Sequence, residues 1–283
     1  MVGMVEWTQS TVLSRDGTEI GIVDYIPRTQ RGPGILFVPA LGVPIGYYSL
    51  MLQQWASRGR RIVAVELRGM PLSPVTDLRG QRFGYGTLFG EDLPAVVAAA
   101  VPDPYFIVGH SLGGQLALLG TASGAVNPAG IVAIASGTSS RAAHSGALRR
   151  AVRIGQVMFV RATSAALGFW PGDRVGFGGR QPRSLMRDWY HEGRHGHYRI
   201  HGDDTDYVAA LRSLDVPITL LSLDGDTIVP HAATAHLAAQ LPPATAHVLI
   251  SKGTGFDHIR WARREPGVII DEVERALSGV GLP

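Results

Sequence analysis

The sequence predicts an α/β fold with a mostly parallel central sheet, helices on both faces and an inserted, mainly helical cap. Apolar runs of strand length alternate with segments of helical spacing over the first half of the chain. This alternation is typical of parallel strands that are connected by helices. The runs are almost uninterrupted, as in strands that are buried on both faces. The alternation stops at about residue 136 and resumes after residue 206, which predicts an insertion.

The apolar runs predict the strands of the sheet, and a turn at Asp16-Gly17 precedes the first of them. The predicted strands cover residues 21–26, 34–38, 61–66, 105–108, 130–135, 218–223 and 246–250.

Segments with helical spacing separate these strands. In residues 47–58, Tyr48, Leu52 and Trp55 fall on one face, as in a helix that packs on a sheet. Pro94 lies near the start of another such segment, where proline is tolerated. The predicted helices cover residues 47–58, 91–101, 115–121, 152–169, 231–240 and 266–277.

The composition limits the class of protein. The chain has 283 residues and no cysteine, which excludes disulfides, thiolate nucleophiles and zinc–cysteine sites. No apolar run reaches the ~20 residues of a membrane span, and residues 1–10 do not resemble a signal peptide. The net charge of +3 accompanies no nucleic-acid motif. We therefore predict a cytoplasmic protein that binds no nucleic acid and has no transmembrane segment.

Residues 109–114, Gly-His-Ser-Leu-Gly-Gly, are the most informative segment. They connect a predicted strand to a predicted helix, and glycines on both sides of Ser111 allow a turn sharp enough to expose it. Ser111 also lies at a helix N-terminus, where free N–H groups favour negative charge. This pattern predicts a nucleophilic serine.

An activated serine needs a base, and the base needs an acid that orients it. Asp226 follows the strand at 218–223, and His258 follows the strand at 246–250 on a glycine-rich loop. This chain order predicts Ser111 as nucleophile, His258 as base and Asp226 as acid. Asp224 is the alternative acid, and Asp257 is expected to be solvated. Asp224 and Asp226 could instead be simple turn or helix-capping residues.

The oxyanion formed by serine attack needs N–H donors. We predict the backbone N–H of Leu112 as one donor and that of Leu41 as the second, with Ala40 as the alternative. Pro39 has no N–H and is excluded. Further substrate contacts are predicted for Ala40, His110, Phe169 and Trp170, with no metal site and no cofactor.

The predicted domains are a core formed by residues 1–135 and 207–283 and a cap formed by residues 136–206. The cap carries eleven arginines against six acidic residues, a net charge of 11 − 6 = +5. This charge could attract an acidic substrate or belong to exposed helix surface. A group of apolar side chains could line an acyl pocket, although core packing is the default interpretation: Met158, Phe159, Leu167, Phe169 and Trp170. A His-rich tract at 191–201 fits no metal-ligand spacing and is interpreted as a solvated polar face.

These motifs resemble the α/β-hydrolase superfamily along nearly the whole chain, with residues 109–113 as the nucleophile elbow. More narrowly, residues 39–44, Arg68-Gly69 and the segment from Phe169 to Trp189 resemble a bacterial group of predicted alpha/beta hydrolases. Two positions depart from the family pattern. Pro39-Ala40 replaces the common His-Gly pair, and Pro71 replaces a glycine.

The resemblance implies an α/β-hydrolase fold and acyl chemistry on a small-molecule substrate. We predict hydrolysis of a carboxylic ester or thioester through an acyl-enzyme intermediate. Acyl transfer by the same residues is one alternative. A catalytically inactive protein of this fold that binds a ligand or partner is the other.

Overall fold

A computed structural model describes residues 5–251 and 256–279. Its strands are β1 (Glu6–Leu13), β2 (Glu19–Ile26), β3 (Gly34–Val38), β4 (Ile62–Val65), β5 (Tyr105–His110), β6 (Gly130–Ile134), β7 (Phe169–Pro171), β8 (Arg180–Pro182), β9 (Ile218–Leu223) and β10 (Ala246–Ser251). Its α-helices are α1 (Ser49–Ala56), α2 (Tyr85–Thr87), α3 (Leu93–Ala100), α4 (Leu112–Ala122), α5 (Ala147–Leu167), α6 (Gly172–Val175), α7 (Arg183–His195), α8 (Tyr207–Arg212), α9 (His231–Ala238), α10 (Trp261–Arg264) and α11 (Pro266–Ser278).

Eight strands form the central sheet in the order β1-β2-β4-β3-β5-β6-β9-β10. Strands β4, β3, β5, β6, β9 and β10 pair in parallel, whereas β2 is antiparallel to both β1 and β4. The predicted fold class is therefore confirmed. Strand β1 was not predicted, because nearly all of its residues are exposed at the sheet edge and show no apolar periodicity.

The hydrophobic core lies on both faces of the sheet. Alternate residues of β3 face opposite sides, so that Ile35 and Phe37 belong to one cluster and Leu36 and Val38 to the other. Helices α1, α10 and α11 cover the first face, and α3, α4, α8 and α9 cover the second. Both faces are buried, which explains why these strands are continuously apolar.

The segment between β6 and β9 departs from the alternation of strand and helix. It contains α5, the antiparallel ribbon β7–β8, α6 and α7, and α5 packs along α7. The helix predicted at 152–169 begins five residues earlier, at Ala147, and ends at Leu167, so that Phe169 starts β7. Helix α7 was not predicted. A cap function for this segment stays a prediction.

Across the described ranges, 5–251 and 256–279, no helix combines the length and apolarity that a membrane crossing requires.

Candidate active site

The turn between β5 and α4 holds Ser111 in a conformation that is rare for a residue with a side chain. Its φ of 53° and ψ of −113° lie outside the regions that L-residues normally occupy. The Ser111 N–H donates to the Ile134 carbonyl at 2.8 Å, and the Ser111 carbonyl accepts from Ser136 Oγ at 2.8 Å. Bonds to the neighbouring strand and the residues after it therefore hold the strained serine in place.

The glycines around Ser111 are required by close backbone packing. A Cβ on Gly109 would lie 2.3 Å from the Gly113 carbonyl carbon, and one on Gly113 would lie 2.1 Å from the Val38 carbonyl oxygen. A Cβ on Gly114 would lie 2.2 Å from Ser136 Oγ. The start of α4 can approach β3 and β6 this closely only because these positions lack side chains.

Two hydrogen bonds connect Ser111 to a buried carboxylate. Ser111 Oγ lies 3.0 Å from His258 Nε2, and His258 Nδ1 lies 2.6 Å from Asp226 Oδ2. His258 and Asp226 are both buried. The three side chains come from turns after β5, β9 and β10, so the parallel sheet brings them to its carboxyl edge.

The second carboxylate oxygen of Asp226 is fixed by the backbone. Oδ1 accepts from the N–H groups of Ile228 and Val229, each at 2.8 Å. These bonds leave Oδ2 directed at His258. Asp224 is exposed, and its side chain makes no hydrogen bond within the described residues. The structure therefore brings Asp226, and not Asp224, to the imidazole.

The two predicted oxyanion donors lie on the same cavity as Ser111. The cavity is lined by both Leu112 and Leu41, and neither backbone N–H has a hydrogen-bond acceptor in the described part of the chain. The Ala40 N–H instead donates to Tyr48 Oη at 3.3 Å. Of the two candidates, Leu41 is therefore the one whose N–H has no acceptor in the described part of the chain.

His110 lies behind His258 and does not line the cavity. It is fully buried, its Nδ1 is 2.7 Å from Tyr48 Oη, and its ring centre is 5.0 Å from that of His258. Burial, together with the neighbouring His258, holds the pKa of His110 well below its usual value. A neutral His110 therefore packs against the His258 ring, and it supports that ring without facing the cavity.

The cavity around Ser111 has a volume of about 110 Å³, and a wider cleft of about 640 Å³ adjoins it. Both spaces share the lining residues Arg153, Gly176, Phe177, Trp189 and Ile228. The cleft therefore continues outward from the serine along α5. None of these shared residues was predicted to line the site, because none belongs to a motif that indicates a catalytic or binding role.

The predicted aromatic contacts lie farther out. Trp170 is buried, lines the outer cleft and donates its indole N–H to the Phe177 carbonyl at 2.8 Å. Phe169 lines neither space, and its ring lies 4.9 Å from the Arg180 guanidinium and 5.5 Å from that of Arg79. Phe169 is therefore held in a cation–π arrangement at the β7–β8 ribbon.

The core-packing interpretation is wrong for part of the apolar group on α5. Phe159 is 57% exposed, and Met158 and Leu167 are 46% and 44% exposed. Phe159 lines the outer cleft, where its ring packs edge-on against Trp170. A core position is found only for Trp170.

A buried glutamate fixes the loop that forms one side of the cavity. Glu192 of α7 accepts a hydrogen bond from the Thr138 hydroxyl and another from the Ser139 N–H at 2.8 Å. Gln115 Nε2 donates to the Gly137 carbonyl of the same loop at 2.6 Å. Burial raises the pKa of Glu192 to about 7. Helix α7 is thus connected to the cavity wall through a carboxyl group.

The His-rich tract lies at the end of α7. His195 and His197 are exposed and His191 is half-buried, with ring centres 4.5 to 6.0 Å apart. In the described ranges, no group of three or more His, Asp or Glu residues is arranged to hold a metal ion.

A sequence model of a family described as "Alpha/beta hydrolase family" matches residues 35–269. No curated protein sequence matches the chain.

Several solved structures share the fold. Alpha/beta hydrolase domain-containing protein 10 from mouse has a TM-score of 0.66 at 17% identity, covering 97% of this chain and 100% of that one. An esterase from Rhodococcus sp. ECU1013 has a TM-score of 0.61 at 21% identity, covering 96% and 99%. The thioesterase domain from the curacin biosynthetic pathway has a TM-score of 0.63 at 14% identity, covering 95% and 99%. At these identities the likeness concerns the fold.

Proposed function

The chain belongs to the alpha/beta hydrolase family, and we propose that it hydrolyses a carboxylic ester or thioester through Ser111, His258 and Asp226. The observation that carries the proposal is the unbroken pair of hydrogen bonds from Ser111 Oγ through the His258 ring to Asp226. An esterase and a thioesterase with the same fold support acyl chemistry.

In the proposed mechanism, Ser111 Oγ attacks the carbonyl carbon of the substrate while His258 Nε2 accepts the hydroxyl proton. Asp226 holds the imidazole with its proton on Nδ1 and stabilises the imidazolium that forms. The resulting oxyanion accepts hydrogen bonds from the N–H groups of Leu112 and Leu41. Both groups lie free on the cavity wall, which supports this assignment.

Collapse of this intermediate breaks the bond to the leaving group, and His258 returns the proton to the departing oxygen or sulfur. The acyl group is then bound to Ser111 Oγ. A water molecule that gives a proton to His258 attacks the acyl-enzyme and releases the carboxylic acid. The reaction consumes one water and restores the Ser111 hydroxyl.

The segment at 136–206 is proposed to act as a cap. Its glycine-rich turn packs directly on the turn that carries the second oxyanion donor, since a Cβ on Gly42 would lie 2.2 Å from the Gly178 carbonyl carbon. Phe177 and Trp189 of the same segment line the cavity at Ser111. Cap contacts of this kind support a role in substrate choice.

Labelling with a fluorophosphonate probe tests the proposal, because the probe reacts only with an activated serine. We expect the purified protein to be labelled and Ser111→Ala to be unlabelled. Ser123→Ala is the matched control, since Ser123 is exposed at the end of α4 and its hydroxyl donates to the Gly120 carbonyl. Absence of labelling would support a catalytically inactive protein instead, and equal labelling of Ser111→Ala would refute the role of Ser111.

A panel of p-nitrophenyl esters and acyl thioesters then tests the substrate class. We expect hydrolysis of at least one series and loss of at least about 10³-fold in kcat with Ser111→Ala. Turnover that persists in this variant would refute the role of Ser111.

A further inference from the structure

Arg153 of α5 lies where the small cavity meets the outer cleft, and it lines both. Its Nε donates to the Ser139 carbonyl at 2.7 Å, and Nη1 donates to Gln156 Oε1 at 3.3 Å. The guanidinium also lies 5.6 Å from the centre of the Trp189 ring. These contacts fix the group while Nη2 keeps no hydrogen-bond partner in the described part of the chain.

The positive charge of Arg153 is incompletely compensated. Although its side chain is half-buried, it makes no ion pair with a carboxylate among residues 5–251 and 256–279. Burial lowers the pKa of Arg153, and Glu192 opposes this effect only through its charge. Because arginine stays protonated in proteins, a cation without a carboxylate partner faces the cavity. Burying such a charge is costly unless a counter-ion pairs with it.

The outer cleft, like Arg153, is positively charged, and most of the rest of its lining is apolar. Its described lining contains the cationic Arg149 and Arg153 together with His144, and neither Asp nor Glu. Most of the remaining surface is apolar, from Leu148, Val152, Phe159, Val175 and Ile228. A ligand that fits this lining carries an apolar chain and a negative charge.

We propose that Arg153 binds a carboxylate of the substrate, so that the protein selects esters or thioesters whose short apolar chain carries a carboxylate. This inference rests on the proposed function, because it assigns the substrate class of the same cavity. Nη2 and the neighbouring N–H of Nη1 are the donors, and a carboxylate accepts from an arginine in this paired geometry.

Binding to the Ser111→Ala variant tests the inference without turnover. Monomethyl adipate and methyl hexanoate have acyl chains of the same length and differ by a terminal carboxylate in place of a methyl group. By isothermal titration calorimetry we expect the monoester of the diacid to bind roughly tenfold to hundredfold tighter, as a buried charge-assisted hydrogen bond provides. In the Ser111→Ala background, a second substitution of Arg153→Gln should abolish this difference in affinity. Arg153→Lys in the same background should retain part of it.

Arg174→Gln is the charge-matched control, because Arg174 is exposed on α6 and lines neither space. It should leave the preference for the monoester unchanged. Equal binding of the two esters, or a preference that survives Arg153→Gln, would overturn the inference. An equal loss in Arg174→Gln would also overturn it, since the preference would then come from net charge.

Turnover separates this inference from the proposed function. With the protein that retains Ser111, hydrolysis of methyl hexanoate and of monomethyl adipate is measured by the release of acid. If both are hydrolysed equally, the substrate assignment fails while the hydrolase proposal stands. If neither of these esters nor any member of the ester and thioester panel is hydrolysed, but the binding preference is present and depends on Arg153, the anion site stands and the hydrolytic proposal fails.

Discussion

Replacing Asp226 by asparagine tests how the imidazole of His258 is oriented. The amide oxygen of asparagine can still accept from the N–H groups of Ile228 and Val229, each 2.8 Å from Oδ1 in the native protein. The amide nitrogen then replaces Oδ2, which lies 2.6 Å from His258 Nδ1. Because both groups would be donors, the ring proton must move to Nε2. That nitrogen can then no longer accept the proton of Ser111.

The expected loss follows from the same geometry. A unit charge pair separated by 2.6 Å interacts by roughly 6 kcal/mol at an effective dielectric constant of about 20, and this interaction stabilises the imidazolium. The loss of this interaction and the wrong tautomer together give a decrease of about 10⁴-fold in kcat, or about 5.5 kcal/mol. We expect Asp226→Asn to fold normally, since its backbone hydrogen bonds survive.

The assay is p-nitrophenyl ester hydrolysis at pH 7.5, with thermal unfolding followed by circular dichroism to verify the fold. Asp224→Asn is the matched control, because Asp224 is exposed two residues away and makes no side-chain hydrogen bond within the described residues. A loss of less than tenfold in kcat for a folded Asp226→Asn would refute the reasoning. An equal loss in Asp224→Asn would show that the neighbouring loop, and not the bond to His258, is responsible.

Three further predictions concern stability and the cavity wall. Arg68→Met should lower the free energy of unfolding, measured in urea, by about 3–5 kcal/mol, since it leaves the buried Asp92 without its ion-pair partner. Adding Asp92→Asn should recover part of this loss. A loss below about 1 kcal/mol for Arg68→Met would contradict the prediction. Gly42→Ala should lower kcat by about tenfold or more, because φ is +70° and the new Cβ would lie 2.2 Å from Gly178, and unchanged kinetics would refute the close packing. Burial raises the pKa of Glu192 to about 7 from its ordinary 4.5. Between these two pH values the folded state binds more protons than the unfolded state. Glu192 therefore makes the free energy of unfolding fall as the pH rises from about 4.5 to 7. Glu192→Gln should remove up to about 3 kcal/mol of that decline in urea titrations at pH 5 and pH 8, and an unchanged decline would contradict the pKa.

The buried strands were predictable because each one is a local apolar run. The segment 34–38 matches β3 and 218–223 matches β9, since burial on both faces demands continuous apolar residues. The position of Ser111 was predictable for a similar reason, because strand, glycine-flanked turn and helix are adjacent in the sequence.

Helix α7 was harder to predict from the sequence, because its burial depends on partners that are distant in sequence. Asp188 of α7 accepts from the Tyr85 N–H at 3.0 Å, and Glu192 contacts residues 138 and 139, so polar side chains face inward. The buried apolar residues of α7 are Leu185, Met186 and Trp189, and the polar Asp188 and Glu192 interrupt this stripe.

The sequence also could not distinguish the backbone N–H of Ala40 from that of Leu41 as the second oxyanion donor. The Ala40 N–H donates a hydrogen bond to the Tyr48 hydroxyl. Tyr48 belongs to the short helical segment that follows the turn. No pattern in residues 39–44 indicates this bond. Local sequence therefore predicts an oxyanion turn, whereas the packing of Tyr48, eight residues after Ala40, determines that the Ala40 N–H is not free.

The distance along the chain between Ser111 and His258, 147 residues, has a consequence for protein synthesis. The ribosome produces the strained serine turn long before β10 and the histidine that contacts Ser111 Oγ. Domains generally fold as units, so the turn needs the strands around it to be held in its strained conformation. A chain that ends before residue 258 also has no imidazole for the Ser111 hydroxyl. The hydrogen bond between Ser111 Oγ and the imidazole can therefore form only after almost the whole chain has been synthesised.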